Sequence, residues 1–277
     1  MSVESSRPAI GLIVIGDEIL SGRRADQHLT KFIALLTERG LALDWARYLG
    51  DDLAQISAVL REVFATNAFV FCTGGIGATP DDRTRQAAAA ALGVPLALHP
   101  QAKRLIQQRQ QDTARAQGQA WEPERADNLQ RLKMGEFPVG ATIVPNSYNR
   151  IPGFACSGPG GGAVYFTPGF PVMAWPMMVW ALDGPAALAL RGDGWQERSI
   201  VVFDTPESVL TPLLEQLERA HPEVRTFSLP SVDHPDYGAH IDLGVKGAPQ
   251  DVAAAFDDLL ELMAPLHLRY GPQRVRP

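Results

Sequence analysis

Apolar strand patterns alternate with amphipathic helix patterns along the first part of the chain, and this alternation restricts the fold more than any other feature. Residues 9–15 form a continuous apolar run, which is typical of a strand buried on both faces. Residues 43–49 and 68–72 repeat the strand pattern, and apolar residues at helical spacing follow each run. The resulting βαβαβα order predicts a mostly parallel sheet covered by helices.

The pattern of elements restarts after a cluster of glycine and aspartate at residues 191–195. Four strands and two helices are predicted beyond it, in β-α-β-β-α-β order: strands 199–203, 224–229, 238–245 and 266–270, helices 207–219 and 249–263. This order fits a small ferredoxin-like α+β domain. We therefore expect two domains, 1–192 and 193–277.

Charge and cysteine content exclude several classes of partner. The net charge of −6 and the isoelectric point of about 5.5 argue against binding to nucleic acid or to an anionic membrane surface. The only cysteines, Cys72 and Cys156, do not form a disulfide framework, which favours a reducing compartment. No signal peptide is visible, and the apolar run 172–182 is too short to span a bilayer. A cytoplasmic protein is expected.

A glycine-rich loop at residues 73–82 (TGGIGATPDD) lies between a predicted strand and a helix predicted to span 80–92. In this interpretation Thr79 is the N-cap, Pro80 the first helical residue and Asp82 the third. Amides at such a helix start favour phosphate. The loop lacks the lysine of a P-loop and the third glycine of a Rossmann motif. It predicts a site for a phosphorylated ligand.

Carboxylates follow three predicted parallel strands: Asp17 and Glu18, Asp51 and Asp52, Asp81 and Asp82. Since the carboxyl ends of parallel strands meet at one edge, these groups are expected to converge there. Carboxylates beside a phosphate need a bridging cation, and Mg²⁺ commonly uses one or two of them. Simpler alternatives stay open: Asp51 and Asp52 as helix caps, Asp81 and Asp82 as complements of a helix dipole worth about 0.3–1 kcal/mol each, and Asp17 and Glu18 as a solvated turn.

Six segments together resemble the MoaB/MogA-type molybdopterin-binding domain, in the version found in the N-terminal part of CinA (competence/damage-inducible) proteins. They occur in the family's order across roughly residues 8–180: 15–22 (IGDEILSG), 50–52 (GDD), 73–84 (TGGIGATPDDRT), 144–146 (VPN), 152–154 (PGF) and 167–171 (TPGFP). The resemblance implies a three-layer α/β fold followed by a small α/β domain. It also implies self-association, since relatives form dimers or trimers.

The resemblance also implies roles for particular residues. In pterin-handling relatives the aspartates matching Asp51 and Asp82 serve the active site, and in the CinA-like branch the pocket is associated with metal-dependent hydrolysis of ADP-ribose-type pyrophosphates. A related domain accompanies FAD synthases. The implied catalytic residues are Asp82, Asp51 and Glu18, and the implied metal ligands are Asp81 and Asp82. The implied ligand-binding residues are Gly74, Gly75, Gly77, Thr79, Asp17, Asn146 and Gly169.

Two departures from the family pattern limit this transfer. Ala78 stands where the family usually has proline, and no segment resembling the amidohydrolase domain of full-length CinA proteins follows. The first hypothesis is a Mg²⁺-dependent pyrophosphatase acting on ADP-ribose- or FAD-type nucleotides, in which Asp82→Asn abolishes turnover and leaves the fold intact. The alternative is a non-catalytic molybdopterin or pterin carrier. A third hypothesis is an interaction scaffold that has neither activity.

Overall fold

A computed structural model describes residues 8–190, 194 and 196–276. The chain divides into two compact units, one comprising the chain up to Leu35 together with Leu43–Leu190, the other Leu36–Ala42 with the residues after Leu190. The predicted boundary between 192 and 193 lies outside the described residues. None of the described helices is long and apolar enough to cross a membrane.

The first unit contains eight described strands and eight α-helices. The strands are β1 (Ile10–Ile15), β2 (Trp45–Leu49), β3 (Phe69–Thr73), β4 (Leu96–Leu98), β5 (Glu136–Pro138), β6 (Thr142–Val144), β7 (Gly153–Ser157) and β8 (Ala163–Thr167). The helices are α1 (Asp17–Leu20), α2 (His28–Thr37), α3 (Leu53–Phe64), α4 (Thr84–Leu92), α5 (Pro100–Ala116), α6 (Ala126–Leu132), α7 (Pro171–Asp183) and α8 (Ala187–Leu190), with a 3₁₀ turn at Lys133–Gly135.

Six strands form one sheet in the order β2-β1-β3-β8-β7-β6. The first four strands in this order are β2, β1, β3 and β8, and each neighbouring pair among them is parallel. Strand β7 pairs antiparallel with β8, and β6 pairs antiparallel with β7. The pairing sets Ile15 beside Leu49 and Thr73 beside Val14 and Thr167. The loops that follow β1, β2, β3 and β8 therefore emerge at one edge of the sheet, where ligands bind in open α/β sheets.

Helices cover both faces of this sheet, which confirms the predicted three-layer architecture. On one face Ile13, Val70 and Phe166 belong to a buried cluster with side chains of α3 and α4. On the other face Phe71 packs against Phe32 of α2, with ring centroids 4.7 Å apart. Successive side chains of a strand point to opposite faces, so a strand between two helical layers must be apolar throughout. This is why the uninterrupted apolar run of β1 was informative.

The start of α4 differs from the prediction. The helix begins at Thr84 and not at Pro80, and Arg83 occupies the N-cap position without a side-chain cap. Residues 79–82 form a separate turn, in which the Asp82 amide donates to the Thr79 carbonyl at 3.1 Å. The Thr84 amide then donates back to the carbonyl of Gly75 at 3.0 Å. Thr79 and Asp82 stabilise this turn, so their capping pattern did not mark a helix start.

The second unit confirms the ferredoxin-like prediction. Its elements are β9 (Gln196–Phe203), α9 (Glu207–Ala220), β10 (Arg225–His234), β11 (Gly238–Gly247), α10 (Pro249–Met263), a 3₁₀ turn (Ala264–Leu266) and β12 (Arg269–Arg276). The sheet order is β10-β11-β9-β12, and each neighbouring pair is antiparallel. Ile200, Leu243 and Phe256 lie in its buried core, between the sheet and the two helices.

Candidate functional site

The loops after β1 and β2 are joined by a reciprocal pair of hydrogen bonds between two aspartates. The amide of Asp17 donates to Oδ2 of Asp51 at 3.0 Å, and the amide of Asp51 donates to Oδ1 of Asp17 at 3.3 Å. Asp52 has a different role, since its Oδ1 accepts from the Gln55 amide at 2.8 Å and caps α3. Of the two aspartates after β2, only Asp51 is thus turned toward the β1 loop.

A cleft of about 550 Å³ opens at this edge of the sheet. Ten residues that the sequence singled out line it: Glu18, Asp51, Gly74, Gly75, Gly77, Thr79, Asp81, Asp82, Asn146 and Gly169. Asp17 does not line the cleft, but its amide is hydrogen-bonded to Asp51, which does. The fold therefore brings together residues from five loops that are up to about 150 positions apart in the chain. Their chemical roles stay predictions.

The glycine loop lies directly against the end of β1. Gly74 and Gly75 have φ values of 102° and 67°, which strain any L side chain. A Cβ atom on Gly74 would lie 2.1 Å from the carbonyl oxygen of Ile15. The hydroxyl of Thr84 donates to the carbonyl of Gly74 at 3.0 Å. Glycine is therefore required at position 74 for both backbone conformation and close approach.

Four consecutive amides of this loop donate no hydrogen bond to any residue that the structure describes: those of Gly75, Ile76, Gly77 and Ala78. All four residues line the cleft. Adjacent backbone amides without internal acceptors form a favourable environment for an anion such as phosphate. The group suited to bind an anion is thus the loop itself and not the first turn of α4, which starts nine residues after Gly75.

The two aspartates that end the loop differ in their surroundings. Oδ2 of Asp82 accepts from the amide of Thr79 at 2.9 Å and from its hydroxyl at 2.5 Å. The side chain of Thr79, the backbone amide of Asp81 itself and the charge of Arg83 hold the pKa of the exposed Asp81 carboxyl below its usual range. Asp82 therefore keeps only Oδ1 for a ligand, whereas Asp81 is an exposed, readily ionised carboxylate.

Asp51 is in an electrostatically unfavourable position. Partial burial raises the pKa of its carboxyl, and the negative charges of Asp17, Glu18 and Asp81 raise it further, against the opposing hydrogen bond from the Asp17 amide. Like charges placed close together disfavour ionisation. A cation or a proton at this position would relieve the repulsion, as is common for carboxylates in functional sites.

The far wall of the cleft is held by internal hydrogen bonds. Nδ2 of Asn146 donates to Oδ1 of Asn149 at 2.9 Å and to the carbonyl of Ile151 at 3.0 Å, while its Oδ1 accepts from the Tyr148 amide. All the polar atoms of the Asn146 side chain are thereby engaged within its own loop. Asn146 shapes the wall, and the backbone of Gly169 completes it.

Sequence reasoning missed three cationic or titratable residues at this site. Arg24 lines the cleft, 3.9 Å from the Glu18 carboxylate. His28 is 4% exposed and shares a hydrogen bond with the Gly169 carbonyl at 3.1 Å. Arg85, also 4% exposed, donates to the carbonyls of Gly77 and Lys133. Its bond to Gly77 holds the glycine loop in place. A useful signal was available for Arg24, which follows the acidic loop within six residues.

A preformed metal cage is absent from the described residues, which contain no group of three or more His, Cys, Asp or Glu side chains able to hold an ion. Mg²⁺ does not need such a cage, because it is usually held by one or two carboxylates, waters and substrate phosphate oxygens. Asp81 and Oδ1 of Asp82 offer carboxylate oxygens beside the free amides of the loop. The donor set fits an ion that binds together with a phosphorylated ligand.

Fold and cleft together define a ligand-binding α/β protein whose site combines free loop amides with carboxylates at the carboxyl edge of a mostly parallel sheet. A family model described as "Probable molybdopterin binding domain" matches residues 11–185. The chain belongs to this molybdopterin-binding-domain family, in its CinA-like branch. The match covers the first unit almost entirely and includes every residue of the candidate site.

Individual relatives support the same assignment. A CinA-like protein of Anaeromyxobacter sp. (strain Fw109-5) is 34% identical over 200 residues, which are 72% of this chain and 46% of that protein. This chain thus spans about half the length of that relative. A protein of Pyrobaculum aerophilum is 29% identical over 270 residues, or 94% of this chain and 95% of its own. The crystal structure of CinA from Thermoplasma acidophilum, described as of unknown function, has 27% identity and a TM-score of 0.53, covering 65% of this chain and 98% of that one.

Proposed function

We propose that this protein is a Mg²⁺-dependent pyrophosphatase that hydrolyses ADP-ribose- or FAD-type nucleotides in the cleft of the first unit. The observation that carries the proposal is the pairing, in one cleft, of four free backbone amides with carboxylates of raised and lowered pKa. Amides alone would suffice to bind a phosphate. The additional carboxylates would only repel that phosphate unless they served a cation or a proton transfer.

The residues have distinct proposed roles in this reaction. The amides of residues 75–78 bind one phosphate of the ligand, and Arg24 supplies positive charge at the edge of the cleft. Asp51 accepts the proton of a water molecule whose oxygen forms a bond to phosphorus, while the bridging oxygen leaves with the electron pair of the broken P–O bond. The raised pKa of Asp51 suits a general base, since proton transfer is most effective when the pKa approaches the working pH. Glu18 positions the water.

A divalent ion would be held by Asp81 and by Oδ1 of Asp82, together with phosphate oxygens of the ligand. When bound, Mg²⁺ would offset charge on the phosphoryl oxygens and favour attack by water. Asp82 also stabilises the loop through Thr79. Asparagine keeps one oxygen that can accept both hydrogen bonds from Thr79, so we expect Asp82→Asn to lower turnover through the loss of a carboxylate oxygen for the ion and to leave the glycine loop in place.

Product analysis with defined nucleotides tests the proposed activity. Purified protein is incubated with ADP-ribose or FAD, with Mg²⁺ or with EDTA, and AMP is quantified by chromatography. We expect AMP from at least one of the two nucleotides, and only with Mg²⁺. Absence of AMP under all conditions, together with tight, metal-independent binding of molybdopterin in a parallel titration, would replace this proposal by the carrier function.

Arg24→Gln is expected to weaken ADP-ribose binding about tenfold, which corresponds to about 1.4 kcal/mol, because it removes a charge-assisted contact to phosphate. Isothermal titration calorimetry at two salt concentrations measures the change and its ionic component. Arg23→Gln is the matched control: it removes the same charge one residue away, from a side chain that does not line the cleft. Equal losses in both variants would assign the effect to net charge and contradict a contact from Arg24.

A further inference from the structure

A second chamber adjoins the cleft, and most of its lining residues have no role in the reaction described above. Its volume is about 410 Å³, and it shares five residues with the cleft: Ile15, Glu18, Arg24, Gly169 and Phe170. The chamber extends from this junction between α1, the start of α2 and the start of α7. The two spaces are therefore neighbours, and the residues they share include one cation, Arg24, and one carboxylate, Glu18.

The wall of the second chamber contains a buried histidine with an unused acceptor. His28 is 4% exposed and lines the chamber. Because the Gly169 carbonyl can only accept, Nε2 of His28 carries the hydrogen of their 3.1 Å bond. Nδ1 is then an acceptor, and it has no hydrogen-bond partner in the described part of the protein. Nδ1 has almost no accessible surface, so His28 supports the wall of the chamber through its bond to Gly169 and offers no acceptor to an occupant.

The remaining lining suits a molecule that is partly apolar and partly polar. Ile19, Phe170 and Val172 provide apolar surface, while Gln27 and Glu18 provide hydrogen-bonding groups at the rim. Pockets of this composition, with few polar groups on an apolar wall, are typical of small-molecule sites. The charge at the junction adds a constraint, since Arg24 can attract an anionic linkage that passes between the two spaces.

We propose that the second chamber binds the far half of a two-headed ligand, in which two head groups are joined by a pyrophosphate. The nucleoside monophosphate half lies in the larger cleft against the glycine loop, and the linkage passes Arg24 at the junction. The second head group fills the chamber between Phe170 and Val172, where Gln27 and Glu18 are the hydrogen-bonding side chains of the lining. This inference rests on the proposed function and names the part of the site that selects among pyrophosphate substrates.

Blocking the chamber without touching the cleft tests this inference. Val172→Trp and Ile19→Trp each place a large ring at residues that line the second chamber but not the cleft. Val139→Trp is the matched control, because Val139 is 53% exposed against 52% for Val172 and lines neither space. Calorimetric titrations with ADP-ribose and with AMP are done with Ca²⁺ replacing Mg²⁺, to keep a divalent ion while suppressing turnover.

Wild-type protein and the Val139 variant are expected to bind ADP-ribose at least tenfold more tightly than AMP. The blocking variants are expected to lose that advantage and to bind AMP as the wild type does. The inference is overturned if both blocking variants bind ADP-ribose with wild-type affinity, if AMP affinity falls in parallel, or if wild-type protein binds both nucleotides equally. In those cases AMP release from ADP-ribose would still support the proposed hydrolysis. A wild-type protein that binds neither nucleotide would overturn both.

Discussion

Asp51→Asn is expected to lower the rate of ADP-ribose hydrolysis by about two to four orders of magnitude, the usual contribution of a general base, without destabilising the protein. The amide keeps an oxygen that can accept from the Asp17 amide, so the link between the two loops can persist. It cannot take a proton from water at neutral pH. Initial rates of AMP formation and thermal unfolding midpoints, measured on the same preparations, separate the two effects.

The direction of the stability change follows from the raised pKa of Asp51. A carboxyl whose pKa is higher in the folded state favours folding when it is protonated, and that contribution is lost as the pH rises through the raised pKa. At pH 7 the ionised carboxylate therefore opposes folding, and asparagine should give an equal or higher unfolding midpoint. Well below the ordinary pKa of aspartate, the electrostatic difference between the two proteins should vanish.

Asp52→Asn is the matched control for Asp51, because it makes the same charge change at the next residue. Asparagine is as good an N-cap as aspartate, so α3 should keep its hydrogen bond to Gln55. Asp52 does not line the cleft, and hydrolysis should stay within about twofold of wild type, below the general-base effect. Wild-type activity of the Asp51 variant, or an equal loss in both, would contradict the assignment of Asp51 as the base.

Gly74→Ala is expected to cost about 3–5 kcal/mol in the free energy of unfolding, near the upper end for single substitutions. The new methyl group meets the Ile15 carbonyl oxygen at 2.1 Å, and backbone cannot move aside as a flexible side chain can. The substitution also strains a residue with a φ of 102°. Urea denaturation followed by tryptophan fluorescence reports mainly on the first unit, which contains four of the five tryptophans: Trp45, Trp121, Trp175 and Trp180.

Gly93→Ala separates the clash from the backbone strain. Gly93 ends α4 with a φ of 69°, and a Cβ atom there would have no heavy atom within 4 Å. Alanine at this position should cost only the left-handed conformation, about 1–2 kcal/mol. If the Gly74 and Gly93 variants lose the same free energy of unfolding, the clash with the Ile15 carbonyl adds no measurable cost. Glycine would then be required at position 74 only because of its positive φ.

The site could be located from sequence because its parts lie at chain positions that the parallel sheet must bring together. Asp17, Asp51 and Asp81 each follow a strand, and the order of elements makes those strands parallel. Arg24 had only its nearness to the acidic loop as a signal, and His28 had none, because both lie beyond the loop end and the packing of α1 and α2 brings them to the second chamber. The buried Arg85 gave no pattern that distinguishes it from a solvated helical residue.

The sequence did not give the local structure correctly at two places, the start of α4 and strand β7. The Thr79–Pro80 pattern met the rules for a helix start, yet Asp82 bonds Thr79 within a separate turn and α4 begins at Thr84. Strand β7 was not predicted, because the pattern of Gly153–Ser157 is weak by itself and depends on neighbouring β6 and β8 for its hydrogen bonds. In the first case a local turn competes with the helix start, and in the second case pairing with other strands outweighs a weak intrinsic preference.

By itself, the sequence determined the order of elements, the parallel core of the first unit, the ferredoxin-like second unit and the edge at which the site lies. These depend on periodicity and chain order, which are local properties. Tertiary structure alone decided which carboxylate faces another, which amides stay free and where a second chamber opens beside the cleft. Those features depend on distances of a few ångströms between residues far apart in the chain, and local preferences do not fix such distances.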